Sequence, residues 1–255
     1  MLPKVQTILF EHLASLQEAD APSTSICSRA SSAGKCARAI GLQISALEAT
    51  NPPSGDSLLN FYIGEAVHDV VQRAILARWP DAQSEVEGSI EDYITGHCDV
   101  IYSAEDGQKV VCEIKSVSDF AFELSTGATL KSNGRWRKKK REIEGAKREH
   151  ILQAGIYAIM FDATYLAIVY VRKTAAKDEP VTWEWRHKLS DYHGEVLAEI
   201  ERHKQIVEMV RANKIPGREY EGKIIVDPDK VKWPCGYCNY KSACVSLDAG
   251  VIEVK

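Results

Sequence analysis

The sequence predicts an α/β fold with a central mixed β-sheet of about four to six strands, flanked by helices. Apolar residues recur at helical spacing in 58–79 and 191–213. Between them, 84–115 changes to β-rich runs separated by turn residues. A helical pattern at 149–161 then precedes two further β-rich runs within 164–189. Because a helix between successive strands permits a crossover, the sheet can contain parallel pairs.

The remaining elements are predicted from local patterns. The first twenty residues form an amphipathic helix, and a Ser-rich stretch leads into a second helical pattern at 36–47. Asn-Pro-Pro-Ser-Gly-Asp at 51–56 is a loop, and Pro80 ends the long helix. In the helix over 191–213, we expect an apolar side formed by Val196, Leu197, Ile200, Val207 and Val210.

The sequence predicts no transmembrane helix. No run of eighteen apolar residues occurs, and the N-terminus lacks the layout of a signal peptide, so we expect a cytoplasmic protein. Seven cysteines in a reducing compartment are poor candidates for disulfides. The net charge is −4, but residues 131–148 carry nine Lys/Arg against two Glu. This basic segment suits a phosphate-binding surface, although it also fits a solvated loop or helix face.

Two carboxylates and an amine are predicted to meet on one face of a hairpin in 96–116. Glu105-Asp106-Gly107 fits a three-residue turn with Gly in the left-handed conformation. If Ala104 and Gln108 close that turn, Asp99 lies opposite Glu113. Lys115, two residues further on, then shares the same side of the sheet.

Such a pair of carboxylates predicts a divalent cation site. The negative charges of Asp99 and Glu113 repel each other unless a cation lies between them. Oxygen ligands favour Mg²⁺ or Mn²⁺, which can activate water for attack on a phosphodiester. Lys115 would orient that water or neutralise charge on the phosphate. The alternative is an exposed hairpin with an ordinary Glu113–Lys115 ion pair, because E-x-K by itself is a weak signal.

The chain resembles the PD-(D/E)XK nucleases, in their RecB-like branch. Four motifs occur in the family's order over about residues 30–245: the histidine of GEAVH, G-x-x-D, E-x-K and Q-x-x-x-Y. The resemblance implies a restriction-endonuclease-like core, catalytic Asp99, Glu113 and Lys115, and Mg²⁺ or Mn²⁺ held by His68, Asp99, Glu113 and the carbonyl of Ile114. It also implies that Gln153 and Tyr157 contact DNA or support the site. We expect a single nuclease domain over 1–255, with the nuclease core at 84–190.

A cysteine-ligated metal site is predicted to join the chain's two ends. Cys235, Cys238 and Cys244 form C-x2-C-x5-C, and Cys36 is the natural fourth ligand. Iron–sulfur nucleases that the chain resembles use one N-terminal and three C-terminal cysteines, which implies a 4Fe-4S cluster; zinc is the alternative. Residues 20–57 and 214–255 would form this cluster-binding subregion. Cys27 is a weaker candidate ligand, and Cys98 and Cys112 are expected in the core.

These expectations combine into a DNA exonuclease that acts on single-stranded ends in recombination, repair or CRISPR-adaptation-like processing, with a protein partner from such a pathway. The basic segment would bind the strand through Arg135, Trp136, Arg137 and Lys138. Two alternatives remain open: a non-catalytic DNA-binding or assembly subunit that retains the fold, and a zinc-stabilised RNA nuclease. The sequence does not specify the oligomeric state.

Overall fold

The structure, a computed structural model, describes residues 4–18, 26–119, 121–122, 145–174, 180–220 and 234–253. Its helices are α1 (Val5–Glu18), α2 (Ala37–Ile44), α3 (Gly55–Arg78), α4 (Arg148–Met160), α5 (His193–Arg211) and α6 (Lys241–Ser246). Its strands are β1 (Ser28–Arg29), β2 (Gln83–Ile90), β3 (Ile94–Ser103), β4 (Lys109–Val117), β5 (Tyr165–Arg172), β6 (Thr182–Lys188), β7 (Lys214–Ile215) and β8 (Ile252–Glu253).

The main sheet is mixed, which confirms the predicted fold class. Its strand order is β1-β3-β4-β5-β6, and β2 also pairs with β3. The pairs β3–β4 and β5–β6 are antiparallel, whereas β4 and β5 are parallel. The parallel pair follows from α4, because a helix between β4 and β5 lets the chain return to start β5 in the same direction.

The chain divides into two compact units. Unit 1 comprises Met1–Tyr62, Ile90–Thr95 and Ala198–Lys255, and unit 2 comprises Ile63–Ser89 and Gly96–Leu197. The carboxylate hairpin, β5 and β6 therefore belong to unit 2, whereas the four cysteines predicted to bind a metal belong to unit 1. No described helix has the length and apolar character needed to span a membrane.

The β4 strand has one face in the apolar core of unit 2 and one face that carries polar side chains. Cys112 and Ile114 are buried in an apolar cluster, against which Val67, Val71 and Ile75 of α3 and Trp79, which follows α3, are packed. Successive residues of a strand point to opposite faces. Glu113 and Lys115 therefore face the other side, where both contact Gln153 of α4. Sheet alternation thus separates an apolar face from a polar one, and Cys98 and Cys112 are buried as predicted.

A close approach of two helices in unit 2 depends on Gly155. A Cβ atom at this position would lie 2.3 Å from Cγ2 of Val196. We expect Gly155→Ala to lower the free energy of unfolding by about 2 kcal/mol through overpacking, measured by urea denaturation. Gly194→Ala is the control, because nothing lies within 4 Å of a Cβ there, and it should be neutral or stabilising. An equal effect of both substitutions would contradict this account.

A buried polar network holds together three segments of unit 1. Ser28 Oγ lies 2.7 Å from Nδ1 of His203, whose Nε2 lies 3.1 Å from Oε1 of Glu199. The same carboxylate accepts hydrogen bonds from the N–H of Gly34 at 2.8 Å and from Arg202 at 2.6 Å. The network therefore links β1, the turn that precedes Cys36, and α5. Since Ser28 and His203 are both fully buried, no substrate can reach them.

The Glu199 carboxylate should make the stability of unit 1 depend on pH. Burial raises the pKa of Glu199. Hydrogen bonds from His203, Arg202 and Gly34 lower it by more than burial raises it, so the pKa lies well below the usual 4.5. Its stabilising contribution is therefore present above about pH 4.5 and shrinks as the pH falls below that value. We expect Glu199→Gln to lose about 2 kcal/mol at pH 7, and the difference from wild type to narrow towards pH 3.

Thermal unfolding at pH 7, 5 and 3 measures this narrowing. The control is Glu201→Gln, an exposed position on the same helix, which should change the free energy of unfolding by less than about 0.5 kcal/mol. A difference between wild type and Glu199→Gln that stays constant from pH 7 to pH 3 would show that the carboxylate charge is not what stabilises the network.

One prediction about α5 is wrong. Val196, Ile200, Val207 and Val210 are buried, but Leu197 is 46 % exposed. Leu197 follows Val196 directly, so the two side chains point about 100° apart around the helix axis. The buried stripe along α5 is therefore narrower than the distribution of apolar residues predicted.

Candidate functional site

The hairpin register brings Asp99 and Glu113 together. Four pairs join β3 and β4, from Ser103↔Lys109 to Val100↔Cys112. The next step of this register places Asp99 opposite Glu113. The turn closes through the N–H of Ala104, which donates to the carbonyl of Gln108 at 2.8 Å, and Gly107 has a φ of 76°. The predicted turn is confirmed, and so is the predicted register over residues 100–103 and 109–112.

Glu113 is a buried carboxylate with one satisfied oxygen and one unsatisfied oxygen. Its Oε1 accepts hydrogen bonds from Nζ of Lys115 at 2.6 Å and from Nε2 of Gln153 at 2.7 Å. Its Oε2 is buried and has no hydrogen-bond partner among the described residues. Burial raises the pKa of Glu113 to about 7, with Lys115 lowering it and Asp99 raising it. A buried oxygen without a partner is costly and is rare in folded proteins.

Asp99 is held by the backbone of the neighbouring strand. Its Oδ2 accepts a 2.6 Å hydrogen bond from the N–H of Ile114, and its Oδ1 lies 3.6 Å from Nδ1 of His68. Burial lowers the pKa of His68, but the hydrogen bond and charge of Asp99 and the charge of Glu113 raise it above its usual value. The two carboxylates therefore stabilise the protonated form of the His68 imidazole.

The Q-x-x-x-Y residues support the two carboxylates from α4. Gln153 donates to Glu113 and accepts a 2.9 Å hydrogen bond from Nζ of Lys115. Tyr157, one turn later, is 2 % exposed. Its pKa is raised by burial and by the charge of Glu113, and its hydroxyl interacts with Gln153. Because both residues are buried, they are placed to orient Glu113 and Lys115 rather than to contact a large ligand directly.

Sequence reasoning missed two residues beside this site. Gln72, one helical turn after His68, donates to the carbonyl of Asp99 at 3.2 Å and also to Glu85. His150, one turn before Gln153, lies 2.8 Å from the hydroxyl of Tyr170. Burial and the positive charges of Lys115 and Lys147 lower the pKa of His150 to about 3, so the ring is neutral. Helical spacing from His68 and Gln153 is the signal that could have identified both.

The three predicted side-chain ligands are neighbours but do not form a ready metal-binding group. Within the described part of the chain, no three His, Cys, Asp or Glu side chains meet the geometry of such a group. The reason is that Glu113 Oε1 is turned towards Lys115 and Gln153, and Asp99 Oδ2 is engaged by the Ile114 N–H. Glu113 Oε2 and Asp99 Oδ1 are the oxygens that remain for a cation.

The four cysteines that are predicted to bind a metal all belong to unit 1, together with Cys27. Cys36 directly precedes α2, and Cys235 begins a short 3-10 helix. Burial, Glu219 and both these cysteines raise the pKa of Tyr220, so both sulfur atoms lie near its hydroxyl. Burial and the charge of Cys244 raise the pKa of Cys238. The N- and C-terminal segments do meet, since Arg38 contacts Cys244 and Asp248. Among the described residues, however, these cysteines do not come together as a metal-binding group.

Two features of the cysteine region nevertheless fit a soft metal. The donor set consists of thiols, the ligands that zinc and iron–sulfur clusters prefer. The N–H of Tyr240 also points at Sγ of Cys238 at 3.4 Å, and an N–H donor of this kind stabilises a thiolate. No disulfide joins any of the seven cysteines. The predicted DNA contacts Arg135, Trp136, Arg137 and Lys138 lie outside the described residues.

Comparison with known proteins shows the fold. No protein-family model matches the sequence, and no curated protein sequence matches it. Among solved structures, the chain is similar to the crystal structure of SSO0001, with a TM-score of 0.51 and 14% sequence identity. The match covers 95% of this chain and 96% of that one. The similarity therefore extends over the whole fold, and at this identity it carries no statement about activity.

Proposed function

We propose that the protein is a divalent-metal-dependent deoxyribonuclease of the PD-(D/E)XK, RecB-like kind, with unit 2 as its restriction-endonuclease-like core. The observation that carries the proposal is the buried Oε2 of Glu113, which lacks a hydrogen-bond partner among the described residues and belongs to a carboxylate paired across the hairpin with Asp99. A structural ion pair with Lys115 does not require this oxygen to be buried and unsatisfied.

A cation removes this electrostatic cost. Two carboxylates this close must share a proton or a positive ion, and hard oxygen donors select Mg²⁺ or Mn²⁺. Asp99, Glu113 and His68, with the carbonyl of Ile114, are the residues that would hold the ion. When bound, such an ion polarises a phosphodiester oxygen and lowers the pKa of a coordinated water.

Lys115 is placed to orient the attacking water. An ammonium group has three donors, and Glu113 and Gln153 occupy two of them at 2.6 and 2.9 Å. The third can donate to a water or to a phosphate oxygen. Gln153 fixes the ammonium and the carboxylate with one side chain, and Tyr157 supports Gln153 from the next turn of α4. Because Gln153 holds both Lys115 and Glu113 in place, the two groups are already oriented when a substrate binds.

DNA is the proposed substrate, and single-stranded ends the preferred form. The basic segment at 131–148, with Trp136 among its cations, supports this choice from the sequence, since alternating cations and aromatic rings bind single strands by charge and stacking. A non-catalytic DNA-binding subunit is the weaker proposal, because such a protein has no need for two buried, repelling carboxylates. The cysteines of unit 1 would hold a 4Fe-4S cluster, or zinc, with a structural role.

Cleavage assays test the proposal. The protein is purified anaerobically and incubated with end-labelled single-stranded DNA, duplex DNA and RNA of the same sequence, with Mg²⁺, Mn²⁺ or EDTA. We expect divalent-dependent shortening of single-stranded DNA and none in EDTA. Cleavage of RNA only would favour the RNA nuclease instead. Binding of DNA without cleavage in either metal would favour the non-catalytic subunit and would contradict the proposal.

A further inference from the structure

An aromatic row, formed by His150, Tyr170 and Trp183, lies beside Lys115 in unit 2. The sheet register aligns Lys115 of β4 with Tyr170 of β5, and Tyr170 with Trp183 of β6. Because residues directly opposite each other share one side of a sheet, these side chains are on the side that carries Glu113. The ring centroids of Tyr170 and Trp183 are 5.6 Å apart, and those of Tyr170 and His150 are 5.5 Å apart. The aromatic row therefore begins next to the candidate catalytic lysine and continues along the same face.

Trp183 is the member of the aromatic row that offers a ring to a ligand at the end of the sheet. Tyr170 is fully buried. Its hydroxyl lies 2.8 Å from Nδ1 of His150 and accepts a 3.0 Å hydrogen bond from the N–H of Lys147. Trp183, in contrast, is half-buried and lies on β6, the last strand in the order of the sheet. Tyr170 therefore supports one side of a partly exposed indole, and such a ring can stack an unpaired base.

Positive charge accompanies the aromatic row. Burial lowers the pKa of His150, and the charges of Lys115 and Lys147 lower it further, so both ammonium groups lie near that ring. Lys147 is exposed and is one of the cations of the basic segment. The described end of that segment also reaches β6, since a Cβ atom at Gly145 would lie 3.2 Å from Nε1 of Trp185. Cations beside aromatic rings match a ligand that carries phosphates and planar bases.

We propose that Trp183 stacks a base of the single strand whose phosphate is bound at Lys115, and that this stacking makes the site prefer unpaired DNA. The inference rests on the proposed nuclease function. Adjacent strands of a sheet lie about 4.8 Å apart, so β4 and β6 are separated by about 10 Å. Nucleotides follow one another at about 3.4 Å along a stacked strand, so the base at Trp183 would lie about three nucleotides from the phosphate at Lys115. Bases in a duplex stack on each other and cannot reach the indole.

A purely structural role for Trp183 predicts a different pattern. If the indole only packs against Tyr170, its replacement should weaken the binding of single-stranded and duplex DNA alike, through a loss of stability. If the indole stacks a base, its replacement should weaken the binding of single strands and leave duplex binding unchanged. Phenylalanine should then substitute in part, because its smaller ring still stacks.

The test measures binding to a short single strand and to its duplex, in EDTA so that no strand is cut. The fluorescent base 2-aminopurine, whose emission falls when it stacks, is placed at each position of the strand in turn. Wild type is compared with Trp183→Leu, which keeps an apolar side chain, with Trp183→Phe and with Tyr165→Leu. The last is the matched control, because Tyr165 is also a half-buried aromatic residue of this sheet but packs against the apolar core on its other side.

We expect Trp183→Leu to bind the single strand about 10–100-fold more weakly than wild type and to lose the quenching of 2-aminopurine at one position. Trp183→Phe should lie between the two, and Tyr165→Leu should bind like wild type. All four proteins should bind the duplex equally. Wild type that does not bind single-stranded DNA, quenching that persists in Trp183→Leu, or an equal loss of single-strand and duplex binding would each overturn the inference.

If circular dichroism shows that Trp183→Leu does not fold, the wild-type protein supplies a second measurement. A strand with 5-iodouracil at the quenched position is photocrosslinked to it, and the attached peptide is identified by mass spectrometry. A crosslink at Trp183 would support the inference, whereas crosslinks only at other residues, or none, would overturn it. Cleavage of single-stranded DNA in Mn²⁺ is measured separately. Stacking without cleavage would contradict the nuclease proposal alone, and cleavage without stacking would contradict this inference alone.

Discussion

Glu113→Gln is expected to abolish DNA cleavage while leaving the protein folded. The amide oxygen of Gln can still accept hydrogen bonds from Lys115 and Gln153, so the packing of unit 2 is retained. A neutral amide, however, is a poor ligand for a divalent cation. Metal activation contributes several kcal/mol to transition-state stabilisation, and about 1.4 kcal/mol corresponds to a factor of ten. We therefore expect the cleavage rate to fall about a thousandfold.

The control for this substitution is Glu105→Gln. Glu105 lies in the exposed turn of the same hairpin, so the same replacement of Glu by Gln is made there while the site is untouched. Initial rates on end-labelled single-stranded DNA in Mn²⁺ give the measurement, and circular dichroism checks the fold. The metal-free Glu113→Gln protein should melt no lower than wild type, because the substitution removes a buried carboxylate whose pKa is raised to about 7. If the Glu113→Gln variant cleaved DNA at the wild-type rate, Glu113 would have no part in the mechanism.

Cys238→Ser should cause the second largest effect, on stability. Serine keeps the size of cysteine but is a poor ligand for zinc or iron. A metal present at a thousandfold excess over its dissociation constant stabilises the folded state by about 4 kcal/mol. For a chain of this size that corresponds to about 10 °C in melting temperature. We expect loss of bound metal, loss of any absorbance near 400 nm, and a melting temperature lower by about this amount.

Cys27→Ser is the matched control for that prediction. Cys27 also lies in unit 1 and is half-buried, but it stands outside the C-x2-C-x5-C motif. Differential scanning calorimetry and metal analysis of both variants give the comparison. If the metal content fell in Cys27→Ser but not in Cys238→Ser, Cys27 would be the ligand and Cys238 would not. Unchanged melting temperatures after complete metal removal would show that the centre is not structural.

Much of unit 2 could be predicted from the sequence because its signals are local. The turn Glu105-Asp106-Gly107 determines the hairpin register, and the register in turn determines which side chain faces Asp99. Alternation along β4 then separates Cys112 and Ile114 from Glu113. The prediction for Leu197 was wrong because the spacing of apolar residues does not show how wide a stripe of the helix is buried.

The details of the site could not be predicted, because they depend on tertiary contacts. Nothing in E-x-K indicates that Lys115 bonds both Glu113 and Gln153, or that Asp99 Oδ2 accepts the Ile114 N–H. Helical spacing places Gln72 and His150 near the site, but the groups that they contact depend on how α3 and α4 pack against the sheet. In unit 1 the cysteine spacing predicted a set of ligands, yet the separation between sulfur atoms depends on how distant segments pack.

Diffraction from crystals grown with Mn²⁺, recorded at a wavelength where manganese scatters anomalously, tests the central claim most directly. We predict a peak within about 2.3 Å of an oxygen of both Asp99 and Glu113, a distance typical of hard cations and carboxylates, and its absence in Glu113→Gln crystals. No peak between these two carboxylates, at a Mn²⁺ concentration that supports DNA cleavage, would contradict the account.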